Sequence, residues 1–574
     1  MNTTAADRRA LAWLLLAALL VLGAGIGLRD PWPSDEPRFA LVAKTMVESG
    51  DWLFPRRGSE LYPDKPPMLM WLQAASYLVV REWRVAFLLP SLLAGLGTLV
   101  LVWDLARRLW SPRAGLLAAI GVLSALMFGF QFKRAQIDPL ITFEITLACY
   151  ALARHLLLGP AWRWYWAGCF VAGLGVITKG VGVIALLMLL PYALARRAGW
   201  PGLARAQGDG WRWALGAPAF LGAIALWLVP MTSVALARGQ PEYLDYMRNI
   251  LFDQTARRYA GQVGGHYGKG WWYFGPVLLL HFFPLSLAYV AGVRDWAAQW
   301  RARDGRLAVL VGWCALVLLF FTLAAGKREV YVLPMLPMLA VALAPTLLRL
   351  EHAAWLHRTA LALAVGFGAV LLGLSAWALS GRWARLQATM LERGLHADEL
   401  RPIFIWVLVA GAAFLVASAV FRARRGVPAL LAGLGAFWVV WGVGVAPLAN
   451  PSVTSAEVMQ AADRIAGPDG EIVMVAWKEQ NLLMAPRPMQ DFGFRNEPAE
   501  QFERAVAWLR EAPERRWIFA RHVAVQACVD RDRVTLAGHA NRWQWWMFQL
   551  GAVRPGCRLP LRRPAEAAAD DEDG

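Results

Sequence analysis

The sequence predicts an all-α polytopic membrane protein with about 13 transmembrane helices, followed by a small α/β domain. Of the 574 residues, 58% are apolar and only 17% are charged, whereas about a quarter of the residues of a soluble protein carry charge. The mean hydropathy is +0.41. The apolar residues lie in blocks of about twenty between arginine-rich joints, as repeated crossing of a hydrocarbon layer about 30 Å thick requires. These observations exclude a water-soluble cytosolic enzyme.

The formal net charge of +17 raises the question of a nucleic-acid partner, because basic proteins neutralise phosphates. Most arginines lie in short joints between apolar blocks, and no basic stripe accompanies a nucleic-acid fold. We therefore expect no nucleic-acid partner. The five cysteines form no C-x-x-C motif, so neither a zinc ribbon nor a thioredoxin-type centre is indicated.

Thirteen apolar runs predict the spans. They lie near residues 11–28, 85–107, 114–130, 139–158, 164–178, 180–195, 213–236, 272–293, 306–325, 329–348, 358–380, 403–421 and 427–446. The arginine-rich joints all fall on one side, which the positive-inside rule identifies as cytoplasmic. The N-terminus is then cytoplasmic, and an odd number of spans places the chain from about residue 447 on the opposite face.

The predicted organisation has three parts: a transmembrane domain over residues 1–446, a small non-cytoplasmic α/β domain over 447–562, and an acidic tail over 563–574 that we expect to be disordered. Two long loops, 29–84 and 237–271, lie on the non-cytoplasmic face. The first loop carries a helical pattern that ends at Gly50 and that Ser34 or Asp35 could cap.

Within the α/β domain, residues 471–476 and 516–520 are predicted strands, and residues 498–511 form a predicted amphipathic helix. Cys528 and Cys557 both lie in this domain. A disulfide between them is chemically permitted outside the cytoplasm, and two free thiols fit the sequence equally well.

Ionisable groups near membrane depth are costly and need a reason. Four such clusters fall on the predicted non-cytoplasmic side. In Ser34-Asp35-Glu36-Pro37-Arg38, paired carboxylates beside an arginine suit a metal, a substrate cation or a reacting hydroxyl. A helix cap with a surface ion pair is an alternative explanation of this cluster. Considered without the other three clusters, it is the explanation that we favour.

The second cluster, Tyr62-Pro63-Asp64-Lys65-Pro66-Pro67, presents Lys65 from a rigid turn, because proline keeps the preceding residue extended. Lys65 suits a phosphate, or it is a snorkelling anchor at the headgroup level. In the third cluster, Lys133 and Arg134 violate the positive-inside bias, which a functional anion or a neutralising Asp138 would explain.

The fourth cluster combines two segments and suits a phosphate, because cations and a tyrosine hydroxyl bind phosphate oxygens. Its members are Arg257, Arg258, Tyr259, His266, Lys327, Arg328, Glu329 and Tyr331. Lys179, between two predicted spans, joins this group or simply marks the interface.

Three motifs of the first loop resemble a known family. Asp35-Glu36-Pro-Arg38-Phe-Ala, Glu48-Ser-Gly-Asp51-Trp52 and Tyr62-Pro-Asp64-Lys65-Pro66-Pro67 are similar to the first extracytoplasmic loop of the polyprenyl-phosphate-sugar-dependent glycosyltransferases of the glycosyltransferase C superfamily. Within it, the bacterial lipid A aminoarabinose (undecaprenyl phosphate-alpha-4-amino-4-deoxy-L-arabinose) transferases are most alike, and protein O-mannosyltransferases are more distant. The likeness extends through Asp138-Pro139, Thr178-Lys179-Gly180, Arg258-Tyr259, His266, Trp272-Tyr273, Tyr331-Val-Leu-Pro334 and Asn450-Pro451.

The resemblance implies a glycosyltransferase C fold and assigns roles to matching residues. Asp35 is implied as the catalytic or substrate-orienting carboxylate, and Asp138 as a second acid of the cavity. The implied substrate-binding residues include the donor-phosphate ligands Lys65, Arg258 and Tyr331, together with Glu36, Arg38, Tyr62, Lys179 and His266.

Two departures from the family pattern stand out. The family often carries glutamate where this chain has Asp64, a position that can touch a divalent ion, so a divalent metal at Asp64 is the one cofactor expectation and is itself in doubt. The arginine that usually precedes Leu-Pro near the second span is also missing, because the chain reads Phe87-Leu88-Leu89-Pro90.

The implied function is an inverting transfer of a sugar from undecaprenyl phosphate to lipid A or a related envelope acceptor. It would take place at the periplasmic face of a bacterial inner membrane, by a monomer with membrane lipid around it. A protein Ser/Thr hydroxyl or a core or O-antigen sugar is the alternative acceptor. A transporter or flippase of lipid-linked substrates is the alternative from another class, although we find no inverted repeat of the kind that transporters show.

Overall fold

The computed structural model describes residues 4–204, 210–253, 269–392, 397–541 and 543–560. Arg258, His266, the rest of 254–268 and the acidic tail lie outside the described residues. Helices dominate as far as residue 453, and strands are concentrated after residue 470. The structure therefore has the mostly helical fold that the sequence predicts, with a mixed α/β segment at the C-terminal end.

The helices of the N-terminal half are α1 (Ala5–Gly23), α2 (Glu36–Ser49), α3 (Met68–Val80), α4 (Trp83–Ala86), α5 (Leu89–Leu109), α6 (Pro112–Ser124), α7 (Leu126–Phe132), α8 (Ile137–Leu156), α9 (Trp162–Lys179), α10 (Leu189–Arg197), α11 (Gly210–Ala214), α12 (Gly216–Arg238) and α13 (Pro241–Arg248). A short hairpin of β1 (Arg56–Arg57) and β2 (Glu60–Leu61) lies between α2 and α3.

The helices that follow are α14 (Phe274–Leu280), α15 (Tyr289–Arg301), α16 (Gly305–Leu323), α17 (Met335–Leu350), α18 (Ala354–Leu379), α19 (Ala384–Glu392), α20 (Ala397–Phe421), α21 (Gly426–Val440) and α22 (Ala446–Val453). Short 3-10 segments at Gly182–Met188, Leu285–Ala288, Glu329–Val332 and Ala423–Arg425 interrupt the bundle, as do π segments at Asn249–Asp253 and Trp441–Val445.

Helical segments occupy all thirteen predicted runs, but the count of thirteen spans is not confirmed. In the described part of the chain, six helices are long and apolar enough to cross a membrane, or eight if two bent pairs each form one span. Several of the other predicted spans are short or carry charge, as α8 does with Asp138, Glu144 and Arg154. Apolar length in sequence therefore does not show by itself whether a run is one continuous helix.

Backbone groups at the bends of the two helix pairs form hydrogen bonds with each other. Helices α6 and α7 meet at 66°, and α14 meets the segment Leu285–Arg301 at 102°. The Leu126 N–H donates to the Phe283 carbonyl at 2.9 Å, and the Met127 N–H donates to the His281 carbonyl at 2.8 Å. Because unpaired backbone groups are costly in lipid, each break supplies the partners that the other lacks.

The first loop contains the helix expected from its sequence pattern. Helix α2 begins after Asp35, carries Pro37 in its first turn and ends at Gly50, whose φ of 72° is the left-handed conformation that glycine adopts at helix ends. Its buried face, which includes Phe39, Val42 and Met46, packs with Tyr62, α3 and the start of α8. This packing fixes the position of the acidic N-terminus of α2.

After residue 453 the chain forms a mixed sheet with helices. Its strands β3 (Glu471–Val475), β4 (Arg516–Arg521), β5 (Thr535–Ala540) and β6 (Trp543–Phe548) have the order β3-β4-β6-β5. Strands β3 and β4 are parallel, whereas β6 runs antiparallel to both β4 and β5. The helices are α23 (Ala456–Ala466), α24 (Glu479–Leu483), α25 (Pro498–Glu511) and α26 (His522–Val525). The two strands and the helix predicted from the sequence are confirmed.

Cys528 and Cys557 form a disulfide, with their Cα atoms 5.4 Å apart, which settles the alternative that the sequence left open. The other three cysteines are buried and free. Disulfides persist in oxidising compartments, so this bond agrees with the predicted non-cytoplasmic position of the C-terminal segment.

The C-terminal segment packs directly on the first loop. Leu41 of α2 belongs to the same apolar cluster as Val458, Met459 and Ile472. The Ser59 hydroxyl of the hairpin donates to Asp491 at 2.6 Å. The first loop is therefore held between the helical bundle and the sheet, and side chains of the C-terminal segment reach the candidate site.

Candidate active site

The N-terminus of α2 holds a network of charged groups around Asp35. Its carboxylate lies 3.6 Å from a nitrogen of Arg38, one turn along the helix. The Arg38 Nε donates to Glu479 Oε1 at 2.7 Å, and Arg57 Nη1 donates to the same oxygen at 3.4 Å. Glu479, at the start of α24, is only 4% exposed, so a buried carboxylate of the C-terminal segment holds both arginines beside Asp35.

Mutual attraction keeps these buried groups charged. Burial favours the neutral carboxylic acid of Glu479, but Arg38 and Arg57 outweigh it and lower the pKa of Glu479 below its ordinary value. Burial likewise disfavours the charged guanidinium of Arg38, yet the nearby Glu479 carboxylate raises the pKa of Arg38. The network therefore stays ionised, and Asp35 faces a permanent positive charge.

Tyr62 lies in the same network and is fully buried. Arg57 lies over its ring, with 5.4 Å between the guanidinium carbon and the ring centroid. Burial raises the pKa of Tyr62, so the phenol keeps its proton. Within the described part of the protein its hydroxyl has no hydrogen-bond partner. A buried hydroxyl without a partner is costly, which suits a group that meets a ligand.

A second group joins α8, α9 and the 3-10 segment Glu329–Val332. Lys179, the last residue of α9, donates to the Asp138 carboxylate at 2.5 Å. Its ammonium also lies 5.4 Å from the ring centroid of Tyr331. The side chains of Lys179 and Asp138 are 18% and 14% exposed. The structure thus brings together three of the predicted site residues, and Asp138 neutralises Lys179 rather than Lys133 or Arg134.

The two groups are linked through packed apolar residues. Tyr62 and Ile137, which precedes Asp138, belong to one buried cluster with Phe39. Leu61 shares a neighbouring cluster with Ile177, two residues before Lys179. Met68 and Trp71 border both clusters, so continuous apolar packing connects the first loop with α8 and α9.

Lys65 and Asp64 occupy the bend between β2 and α3, and both side chains are half-buried. Asp64 accepts a hydrogen bond from Arg495 of the C-terminal segment at 2.8 Å. Among the described residues, no group of three or more His, Cys, Asp or Glu side chains is arranged to hold a metal ion. The divalent ion expected at Asp64 stays a prediction, and no chemical step is assigned to a metal here.

Glu36 was predicted to bind substrate, but its carboxylate is used within the protein. Arg29 donates to both oxygens, at 2.5 and 2.8 Å, and the backbone N–H groups of Trp32 and Ala135 donate at 2.7 and 2.8 Å. Glu36 is fully buried. These contacts give Glu36 a structural role, in which it joins the first loop to the connection between α7 and α8.

Sequence reasoning missed Glu479, Arg57 and Arg495. Arg57 belongs to an Arg-Arg pair that looks like an ordinary surface feature. A signal for Glu479 existed: it lies just after β3, and polar residues at the carboxyl end of a parallel strand commonly face a site. The predicted Arg258 and His266 lie outside the described residues.

Comparisons of the whole chain with known proteins show which proteins it is similar to. Residues 64–240 match the family model of the dolichyl-phosphate-mannose-protein mannosyltransferases. The chain is 30% identical over 434 residues to an undecaprenyl phosphate-alpha-4-amino-4-deoxy-L-arabinose arabinosyl transferase of Pseudomonas paraeruginosa, covering 73% of this chain and 72% of the relative. The Pseudomonas aeruginosa enzyme of the same name is 30% identical over 461 residues, which cover 78% and 76% of the two chains.

Solved structures share the fold. The crystal structure of ArnT from Cupriavidus metallidurans bound to undecaprenyl phosphate has a TM-score of 0.69 and 20% identity, and covers 93% of this chain and 97% of its own. The oligosaccharyltransferase of Archaeoglobus fulgidus reaches 0.51 with 13% identity, over 89% and 69% of the two chains. The resemblance seen in the sequence is confirmed: the chain belongs to the family of undecaprenyl phosphate-alpha-4-amino-4-deoxy-L-arabinose arabinosyl transferases and is a membrane glycosyltransferase with their fold.

Proposed function

We propose that the protein transfers aminoarabinose or a closely similar sugar from undecaprenyl phosphate to lipid A or a related envelope glycolipid. The names of its relatives support this donor. The observation that carries the proposal is the presence of two acid–cation groups on segments that continuous apolar packing connects. One group is Asp35 with Arg38, and the other is Asp138 with Lys179 beside Tyr331. Acids suit an amino sugar, and cations suit a phosphate.

The proposed reaction is a single displacement at the anomeric carbon. The acceptor oxygen forms a bond to that carbon as the bond to the phosphate oxygen breaks, and undecaprenyl phosphate leaves with the bonding electrons. Negative charge grows on the phosphate, so Lys65, Arg258 and the Tyr331 hydroxyl, if placed around it, would stabilise the transition state. Attack from the face opposite the leaving group inverts the configuration.

Asp35 has a role that depends on the acceptor. A lipid A phosphate is already ionised and needs no base, so Asp35 would orient it or bind the amino group of the sugar. A hydroxyl acceptor must lose a proton, which Asp35 could accept as general base. Arg38, held at 3.6 Å from Asp35, keeps the carboxylate in place in either case.

We place this reaction at the periplasmic face of a bacterial inner membrane, carried out by a monomer. Two observations support the side: the arginine-rich joints, which predict the cytoplasmic face, and the Cys528–Cys557 disulfide, which suits an oxidising compartment.

A second candidate keeps the donor chemistry and changes the acceptor to a protein hydroxyl. The match of residues 64–240 to the protein mannosyltransferase family favours it. That match covers the first loop from Asp64 onward together with α3–α12. We expect the donor lipid to contact this part of the chain, so the match supports the donor more than it supports a protein acceptor. A transporter of lipid-linked substrates receives no support, because the matched relatives are transferases.

The decisive assay uses purified full-length protein and radiolabelled undecaprenyl-phosphate aminoarabinose, and it offers lipid A, a Ser/Thr peptide and a core oligosaccharide as acceptors. We expect wild type to label lipid A, and Asp35→Asn and Lys65→Ala to lose activity by about a hundredfold or more, as removal of preorganised charge at a reacting centre does. Asp469→Asn is the matched control, because Asp469 lies in an exposed turn of the C-terminal segment.

The outcomes separate the candidates. If a peptide or a core sugar is labelled and lipid A is not, the alternative acceptor replaces lipid A in the proposed function. Full activity of Asp35→Asn would show that the Asp35 carboxylate is not needed for the reaction. The anomeric configuration of the product, read by NMR, tests the inverting displacement.

A further inference from the structure

A cavity of about 220 Å³ lies at the end of α1, beside the site. It is lined by residues that follow α1, by the connection between α7 and α8, and by the end of α21 with the π segment after it. Glu36 lines it, whereas Asp35, Tyr62, Lys65 and Lys179 do not. The cavity is therefore separate from the site described above, although the two share the N-terminus of α2.

The cavity carries excess positive charge. Arg29, Lys133 and Arg134 line it with a single carboxylate, Glu36. Two of the cations have protein partners. Arg29 pairs with Glu36, and the Lys133 ammonium donates to the carbonyls of Val21 and Ala24, which end α1, at 2.9 and 2.7 Å. Lys133 thus caps a helix C-terminus, which explains its place on this face.

Arg134 is the third cation of the cavity, and neither Glu36 nor the end of α1 accepts a hydrogen bond from its guanidinium. Its backbone is fixed, because its N–H donates to the Gln131 carbonyl and its carbonyl accepts from the Ser91 hydroxyl at 2.7 Å. Its half-buried guanidinium lies over the Phe130 ring, 5.2 Å from the centroid. Within the described ranges this guanidinium makes no hydrogen bond, and its charge acts only at a distance on Glu36, which Arg29 already binds. A positioned guanidinium with unused donors matches the oxygens of a phosphate.

The walls indicate what kind of molecule carries the anion. Trp438 and Trp441 line the cavity with Phe130, which is 44% exposed. Trp438 is only 7% exposed, and its indole N–H lacks a partner among the described residues. An occupant with an anionic head and an apolar body would use both the cation and the aromatic walls. A phosphorylated lipid has this chemistry, whereas a free sugar or a peptide does not.

We propose that this cavity binds the phosphate of a membrane lipid, with Arg134 as its direct ligand. The lipid is either the phosphorylated acceptor or bulk anionic phospholipid, which offer the same chemistry. The first reading rests on the proposed function and deepens it. Glu36 lines the cavity and Asp35, the preceding residue, faces the reaction, so an acceptor held by one phosphate would lie next to the transfer site.

Binding tests the cavity without reference to catalysis. Purified full-length protein is titrated with lipid A and, separately, with phosphatidylglycerol, and bound lipid is measured by native mass spectrometry. We expect Arg134→Gln to weaken binding by about tenfold or more, as loss of a hydrogen bond to a charged group does. Arg134→Lys should recover part of the affinity. Arg81→Gln, at an exposed arginine on the same predicted face, is the matched control and should bind as wild type does.

The two lipids distinguish the sources. A loss confined to lipid A identifies an acceptor site, and an equal loss for both lipids identifies a general anionic-lipid site. Unchanged binding of both lipids by a folded Arg134→Gln variant overturns the proposal. Should that variant fail to fold, a photoactivatable phosphatidic acid on wild type decides: crosslinks at Phe130 or Trp441 support the cavity, and crosslinks only elsewhere overturn it.

Catalysis separates this proposal from the proposed function. If wild type labels lipid A, an acceptor site requires Arg134→Gln to raise the KM for lipid A while the KM for the donor stays the same. If wild type labels no lipid A, the proposed function fails, and the binding result still decides whether the cavity takes a lipid phosphate.

Discussion

At the residue scale, the candidate site depends on a carboxylate that comes from far along the chain. Glu479 lies 441 residues after Arg38, yet it holds Arg38 and Arg57 next to Asp35. Removing one partner of a buried ion pair leaves an uncompensated charge and is far more damaging than loss of a surface pair. Glu479 is therefore a positioning residue, which acts on Asp35 through Arg38.

We expect Glu479→Gln to lower the free energy of unfolding by about 3–5 kcal/mol at neutral pH. Because the folded-state pKa of Glu479 lies below its ordinary 4.5, its contribution is complete above that pH and is lost as the pH falls through the lowered value. The stability difference between wild type and the variant should therefore shrink on acidification below about 4.5. Thermal unfolding from pH 7 to pH 3 measures it.

The exposed pair of Glu500 and Arg504 provides the control. Glu500→Gln should change stability by about 0.5 kcal/mol or less. A Glu479→Gln protein as stable as this control at pH 7 would show that the buried network does not hold the first loop in place.

The sequence could predict part of this site and not the rest. Asp35, Arg38, Asp138 and Lys179 were recognisable because charge near a membrane surface needs an explanation, and Tyr62 was recognisable from the motif that it shares with Lys65. How each charge is satisfied depends on residues distant in the chain. The pairing of Glu36 with Arg29 and the capping of α1 by Lys133 arise only when the loops meet.

At the scale of elements, α2 matters most because its N-terminus places Asp35. Its sequence predicted both ends: the acidic start with Pro37, and Gly50 as the stop. The number of spans was not predictable in the same way. Apolar runs indicate membrane residues, but whether a run is one straight helix depends on contacts such as those between the two bent pairs.

Gly50→Ala should destabilise the protein by about 1–2 kcal/mol, because alanine is strained at a φ of 72°. Among the described residues beyond its two chain neighbours, no atom lies within 4 Å of the added Cβ, so the cost comes from the backbone conformation. Gly366→Ala is the matched control: it lies inside α18 with equally open surroundings, and there alanine should stabilise by about 0.5–1 kcal/mol. Thermal unfolding of the two variants should shift in opposite directions, and a shared direction would contradict the role of Gly50 as a helix stop.

At the scale of the whole molecule, the net charge of +17 separates into two populations. Most arginines lie in the joints and predict the cytoplasmic face. A smaller set lies in the first loop and near the cavity. Its members pair with carboxylates, as Arg29 and Arg38 do, or make no hydrogen bond from the guanidinium among the described residues, as Arg134 does. The side of the membrane on which this second set lies is a prediction that decides where the acceptor must be.

The disulfide offers a test of this orientation. After mild reduction, a membrane-impermeant maleimide should label Cys557, which is partly exposed, in intact spheroplasts. Sealed inside-out vesicles should stay unlabelled, because the C-terminal segment is then enclosed. Cys149, Cys169 and Cys314 are buried and should not react, and the double variant Cys528→Ala, Cys557→Ala measures any background from them.

Labelling found only in inside-out vesicles would place the sheet and Glu479 in the cytoplasm. Since Glu479 contacts Arg38 directly, the site would have to lie there as well, and a periplasmic acceptor could not reach it.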